Sequence, residues 1–349
     1  MTRPNYGGQA VIEGVMMAGP EGKAIAVRNE DGKMIYKIDT TPSFIKRHPA
    51  FKYPFLRGIV SFASSMVGGI KDLTWAAAQV GEEEEDQLST GSIIGAVIFA
   101  FVIAVAVFIA VPVFAATWLH PYVGDFGRSL IEGILRAGFF IGYIVLISKM
   151  EDIRRLFAYH GAEHKTINAY EAGADLVPEE VAKHSRIHTR CGTSFIMMAM
   201  ILMIIIFTFV GQTTAIARVG IKIVLLPVIA GLSYELFRLP LIFPNSKIAK
   251  ALVSPGLALQ RLTTREPELD QLEVAIAALT SVPGFVTNDG YAPAPHTEAE
   301  NPVRDEDENI EDGIEDGIVE DIDESDITAE IDDIAEIEED EIESEYEPD

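Results

Sequence analysis

Apolar residues are spread unevenly along this chain. Ile93 to Leu119 runs for 27 residues without a charge, more than the roughly 20 needed to cross a bilayer core, and predicts a membrane span. Thr193 to Val210 is a second uncharged run, of 18 residues. Leu130 to Ser148 is a third candidate; its Glu132 and Arg136 lie four apart, where they pair on one helix face. A fourth, Val219 to Phe237, is interrupted by Lys222, Pro227 and Glu235, which predicts a span that is tilted, broken or packed inside a bundle.

Lysine and arginine orient these spans. Seven fall between Lys149 and Gly192, whereas the segments that follow Leu119 and Val210 hold one each, Arg128 and Arg218. The positive-inside rule then puts the N-terminus, the 149–192 segment and the C-terminal tail in the cytosol of a multi-pass cell-membrane protein. The opening MTRPNYGGQ has no apolar stretch of the signal-peptide kind.

Outside the spans the pattern shortens. QAVIEGVMM, KAIAVRN and GKMIYKID read as strands, the last two joined at Asp31-Gly32 as a hairpin. Between Phe55 and Val80, Leu56, Ile59, Val60, Ala63, Val67 and Ile70 give a helical period. Gly58, Gly68, Gly69, Arg57 and Lys71 make it a poor span, so it is expected to lie along the membrane surface. PELDQLEVAIAAL opens with Pro267 and acids and carries Leu269, Leu272, Ile276 and Leu279 on one face, predicting a short amphipathic helix.

The fold class expected is therefore a predominantly α-helical multi-pass membrane protein with about four spans, a small N-terminal β element and a disordered acidic tail. Its regions are a β-hairpin region at 1–50, an interfacial helix at 54–80 and a membrane domain at 91–238 with its loop at 149–192. A C-terminal amphipathic region at 239–284 and the tail at 285–349 follow.

Charge sharpens the boundary of the tail. The net charge is -26, yet from Glu298 onward there are 27 acidic residues and one base, Arg304, leaving 26 acids and 26 bases before it. A segment so charged cannot bury enough apolar surface to offset its chain entropy. Isoleucines at 310, 314, 318, 322, 327 and 331 space it regularly. A basic, grooved protein partner would suit that spacing, though solvation is the commoner role; nucleic acid is not expected, because phosphates would be repelled.

Candidate chemistry concentrates in YHGAEHKTINAYEAG, residues 159 to 173. At about 100° per residue, His164 lies roughly 40° from His160, Glu171 roughly 20°, and Glu163 roughly 60° the other way. His-x-x-Glu-His is also the inverzincin spacing, with two histidines on zinc and the glutamate handling a proton. KHSRIHTRCGTSF then adds His184, His188 and Cys191, the last being the chain's single cysteine, so no disulfide forms within it. A solvated polar helix face beside a membrane, with Cys191 as a small buried apolar residue, would produce the same pattern.

GGQAVIEGVMM at 7 to 17, HGAEHKTINAYE at 160 to 171, HTRCGTSF at 188 to 195, SYELFR at 233 to 238 and PGLALQRLTTREP at 255 to 267 resemble the YqhQ-like membrane proteins, an uncharacterised bacterial family described as predicted metal-dependent enzymes. The resemblance implies a multi-spanning protein with a divalent metal held among His160, His164, Glu171, His188 and Cys191. Glu163 is carried over as a further motif position, with Glu13 and Glu235 as additional polar candidates. Ala18 stands where the family's opening block commonly has an arginine.

Two classes of function follow. One is a zinc-type hydrolase at the cytosolic membrane face, with His160 and His164 as ligands, Glu171, His188 or Cys191 completing the shell, and Glu163 activating water. The other is a non-enzymatic assembly, scaffold or translocation-associated factor with a structural His/Cys cluster. No Walker loop, GxSxG or dinucleotide fingerprint occurs. A transporter would draw instead on Glu132, Arg136, Lys222 and Glu235.

Overall fold

The four N-terminal strands are short because turn residues interrupt them. The computed structural model describes residues 4–41, 51, 53–80, 90–209, 214–243 and 246–286; the acidic tail with its isoleucines, expected to be disordered, lies beyond them from residue 287. β1 (Gly7–Val11), β2 (Gly14–Ala18), β3 (Lys23–Arg28) and β4 (Met34–Asp39) form an antiparallel meander. QAVIEGVMM, continuous by its apolar pattern, is folded into two strands: Val11 pairs with Gly14 across the two-residue loop Ile12-Glu13. Glu13 adopts a left-handed backbone, φ 51°. A Cβ at Gly14 would lie 2.3 Å from the Ala26 carbonyl, so glycine lets β2 approach β3.

Both faces of the sheet are covered, which is why KAIAVR is buried almost throughout. Val15, Met17, Ala24 and Ala26 pack on one side against Tyr159, Ala162, Ile167, Leu272 and Leu279. Ile25 and Val27 turn the other way, onto Ala76 and Trp75 of α1 (Leu56–Val80). Each large side chain sealed here contributes roughly 2 kcal/mol. Lys23 Nζ meets the buried carboxylate of Asp72 at 2.7 Å and fastens α1 to β3.

The apolar helices come next. α2 (Ile94–Gly124) and α3 (Phe126–Ile147) are each long and apolar enough to cross a membrane. Gly124, at φ 66°, breaks the helix between them. The two fold back on one another: Arg136 Nε donates to the Phe108 carbonyl at 2.8 Å, and Phe108 meets Phe140 and Tyr143 edge-on. Trp118, Tyr122 and Phe126 stand exposed around the break, as aromatic side chains do at a membrane boundary.

After α4 (Glu151–Ala172) and the short α5 (Pro178–Val181) comes α6 (Gly192–Thr208), apolar but only 17 residues long. α7 (Ala215–Val224) and α8 (Leu226–Phe237) meet at a 45° bend; as one broken span they raise the number of spans among the described residues from two to three. The interruption expected at Pro227 is thus a bend at Leu225, two residues upstream, with Pro227 inside the first turn of α8. α9 (Leu239–Ile242), α10 (Lys247–Thr263) and α11 (Leu269–Thr280) complete the fold, α11 opening with a capping box between Glu268 and Gln271. α1 runs along α8, where Gly58 abuts Gly231 and Arg57 grips Glu235 at 2.5 Å.

Candidate metal centre

α4 starts with acids at its positive end, Glu151 and Asp152, and stops at Gly173 in the left-handed cap conformation. Between them lies the buried segment Tyr159 to Tyr170, where only a glycine fits at position 161, because a Cβ on Gly161 would sit 2.0 Å from the Arg265 carbonyl. The chain leaving α10 therefore crosses α4 in direct backbone contact, Arg265 N–H donating to the Phe157 carbonyl at 2.8 Å. That crossing sets the chemistry of His160.

His160 Nδ1 lies 2.9 Å from the Thr263 carbonyl, and His164 Nδ1 lies 2.7 Å from that of Arg186. A carbonyl only accepts, so each Nδ1 carries the proton and each Nε2 presents a lone pair. Both lone pairs face Cys191: His160 Nε2 is 3.1 Å from Sγ, and the ligand atoms of His160, His164 and Cys191 all lie within 4.8 Å of one another. His164 is fully buried and its Nε2 has no hydrogen-bond partner. Two tautomers fixed by backbone carbonyls, an orphaned ring nitrogen and a thiol form a donor set that fits a borderline divalent cation.

Cys191 arrives from a different part of the fold. It caps α6, its sulfur accepting from the Thr193 N–H at 3.4 Å. α10 crosses α6 where Gly256 meets Ser194, and brings Gln260 to the chain beside Cys191. Gln260 accepts from His188 N–H at 2.9 Å, and its amide donates to the His188 carbonyl at 2.8 Å and to Ser194 Oγ at 3.1 Å. The 188–194 segment is clamped.

The other expected residues take different places. His188 is buried, its ring centroid 5.7 Å from that of His164, and its Nε2 lies 3.6 Å from a carboxylate oxygen of Glu171. Glu171 pairs with Arg190, which also donates to the Tyr6 carbonyl. Burial would raise the Glu171 carboxyl, but His188 and Arg190 outweigh it and hold the group below the usual range. Glu163 is buried under β1, where a Cβ at Gly8 would come within 3.0 Å of its Cγ. Burial pushes its carboxyl up, against His160, His188 and the Gly8 backbone. Burial also pushes the His164 ring down, the Cys191 contact opposing and His160 reinforcing it. His184 gives its backbone carbonyl to Lys165 at 2.9 Å. Glu13 binds the Arg155 guanidinium and accepts from Tyr159 at 3.2 Å, and Glu235 is held by Arg57. None of these joins the three-residue group.

Sequence reasoning missed the second layer. Thr263 and Gln260 lie within PGLALQRLTTREP, but their contributions there are a carbonyl and an amide clamp, which no side-chain pattern announces.

Comparison with known proteins agrees with these blocks. The family described as "Protein of unknown function (DUF1385)" matches residues 53–284. A Bacillus subtilis (strain 168) protein described as "Uncharacterized protein YqhQ" is 35% identical over 295 residues, covering 80% of this chain and 92% of its own length. No solved structure matches. With two thirds of its length inside the family match, this chain belongs to the DUF1385 family.

Proposed function

We propose that this chain is an integral membrane protein that holds one divalent cation, zinc by its donor set, and uses it for hydrolysis at the cytosolic face. The observation that carries the reading is the convergence of His160, His164 and Cys191 with both imidazole tautomers fixed. Three protein ligands is the number catalytic zinc sites employ. The span count belongs to the same proposal: α2, α3, α6 and the bent α7–α8 pair make four crossings, with α4 and the metal centre on the lysine- and arginine-rich side.

The chain's own residues divide the work. Thr263 and Arg186 orient the two rings, Gln260 holds the 188–194 segment, and the buried Glu163, with its raised affinity for a proton, takes one up during hydrolysis. A bound zinc ion supplies Lewis acidity toward a carbonyl or phosphoryl oxygen and acidifies water.

The complete burial of His164 favours a second reading, a structural site in a scaffold or assembly factor. Metal analysis of the purified full chain tests the shared premise: about one zinc per chain is expected, with loss in His160→Ala and His164→Ala. A metal-free wild-type protein purified without chelators overturns both readings. Glu163→Gln separates them, because hydrolysis predicts retained metal with lost cellular function, whereas a structural site predicts that both survive.

A further inference from the structure

α1 and α2 leave a groove between them. About 200 Å³ in volume, it is lined by Val67, Ile70 and Lys71 of α1 and by Ile94, Val97 and Ile98 in the first turns of α2. Five of the six are branched aliphatics, and lysine brings a four-carbon stem. Such a lining does not suit ordered water, which needs at least two polar partners. An apolar cavity of roughly 150 Å³ already accepts benzene, so the groove has room for a length of hydrocarbon chain.

α1 is not free to close the gap, because it is fastened elsewhere. Phe62 packs on Phe195 of α6 with centroids 5.4 Å apart, Gln9 Nε2 of β1 donates to the Gly69 carbonyl at 3.4 Å, and Arg57 and Gly58 hold α8. Lys23 and Asp72 add the tie to β3. None of these anchors is to α2. Val67, Ile94, Val97 and Ile98 are exposed, as are Phe99, Phe101 and Val102 farther along α2, so the groove runs into a continuous apolar surface. On a helix that crosses a bilayer, that surface meets lipid tails.

We propose that this groove holds one acyl chain of a membrane phospholipid. The inference rests on the reading of α2 as a membrane span, adds a lipid site to it, and does not involve the metal centre. Within a bilayer the gain is packing rather than removal from water, since neighbouring tails are as apolar as the groove. An unfilled gap leaves its walls without partner atoms, and a chain seated between two helices restores contacts on both sides.

Photolabelling of the full chain in phosphatidylcholine vesicles tests the site, the probe being a phosphatidylcholine with a diazirine near the carboxyl end of one acyl chain. Val145 and Leu146, exposed at the end of α3 where the hairpin returns to the depth of Ile94, are the reference. Adducts are expected severalfold denser on residues 67–71 and 94–98 than on that pair, and level with it in Val97→Trp, which fills the groove. Val67→Trp fills it from the α1 side should Val97→Trp not fold. Adducts of even density along the exposed faces of α2 and α3 overturn the groove but leave the spans standing, whereas a chain with no adducts on either helix overturns both. Residues 67–71 and 94–98 bare of adducts, as beneath a second copy of the chain, or densities unmoved in both variants, also overturn the site.

Discussion

Cys191 Sγ lies 3.1 Å from His160 Nε2, although 31 residues separate them in the chain. The contact exists because two unrelated segments converge on α4: the start of α6 carries the sulfur, and the end of α10 fixes the imidazole through Thr263. Neither partner's role follows from its own helix.

Cobalt makes that relationship visible. Protein reloaded with cobalt should show a sulfur-to-metal charge-transfer band in the near ultraviolet, and Cys191→Ser should abolish it while leaving weaker ligand-field bands from His160 and His164. An absorption spectrum identical in both proteins would remove Cys191 from the ligand set.

The crossing at Gly161 gives a steric prediction. Gly161→Ala forces a Cβ against the Arg265 carbonyl, which belongs to rigid backbone rather than a flexible side chain. A destabilisation of about 3 kcal/mol is expected, with weakened metal retention because the Thr263 carbonyl moves with Arg265. Gly142→Ala, where a Cβ meets nothing within 4 Å, is the control. Equal melting temperatures for the two variants would refute the crossing.

Tyr6 links stability to alkaline pH. Its ring packs edge-on against Tyr170 at 5.2 Å, and burial, with Tyr170 adding to it, pushes the phenol from 10.0 up to about 12. A raised acid binds its proton more tightly in the folded state, so its contribution is fully present below pH 10.0 and is lost as pH rises toward about 12. Urea midpoints measured across that interval should fall more steeply for the wild type than for Tyr6→Phe. Parallel slopes would contradict the assignment.

The Lys23–Asp72 pair should hold the second half of α1 on the sheet. Lys23→Met leaves a carboxylate that is 5% exposed without its cation, at a cost of roughly 1–3 kcal/mol. Amide exchange in residues 73–80 should accelerate, and adding Asp72→Asn should recover much of the loss. Unaltered exchange in the single variant would show that apolar packing around Ala76 suffices.

Legibility from the sequence differed by element. The first long apolar run shows in composition alone, because bilayer thickness demands an uninterrupted stretch. The β1–β2 hairpin did not show: Ile12-Glu13 carries no glycine or asparagine, and the tight turn is set instead by Glu13 reaching Arg155 and Tyr159 on α4. Glu171 shares a helical stripe with the two histidines, but it stands roughly 10 Å along the axis from His164, beyond what one ion spans. The structure pairs it with Arg190.

The sequence by itself determined the apolar helices, the strands at Lys23–Arg28 and Met34–Asp39, and the two imidazoles one turn apart, since each depends on local period or length. Only the tertiary structure decided that Cys191 joins those imidazoles, which nitrogen of each ring is bare, and that Glu132 collects cations from another helix. Helical geometry fixes the angle between residues on one helix; distances between helices, and the carbonyls that set a tautomer, come from packing that no local pattern encodes.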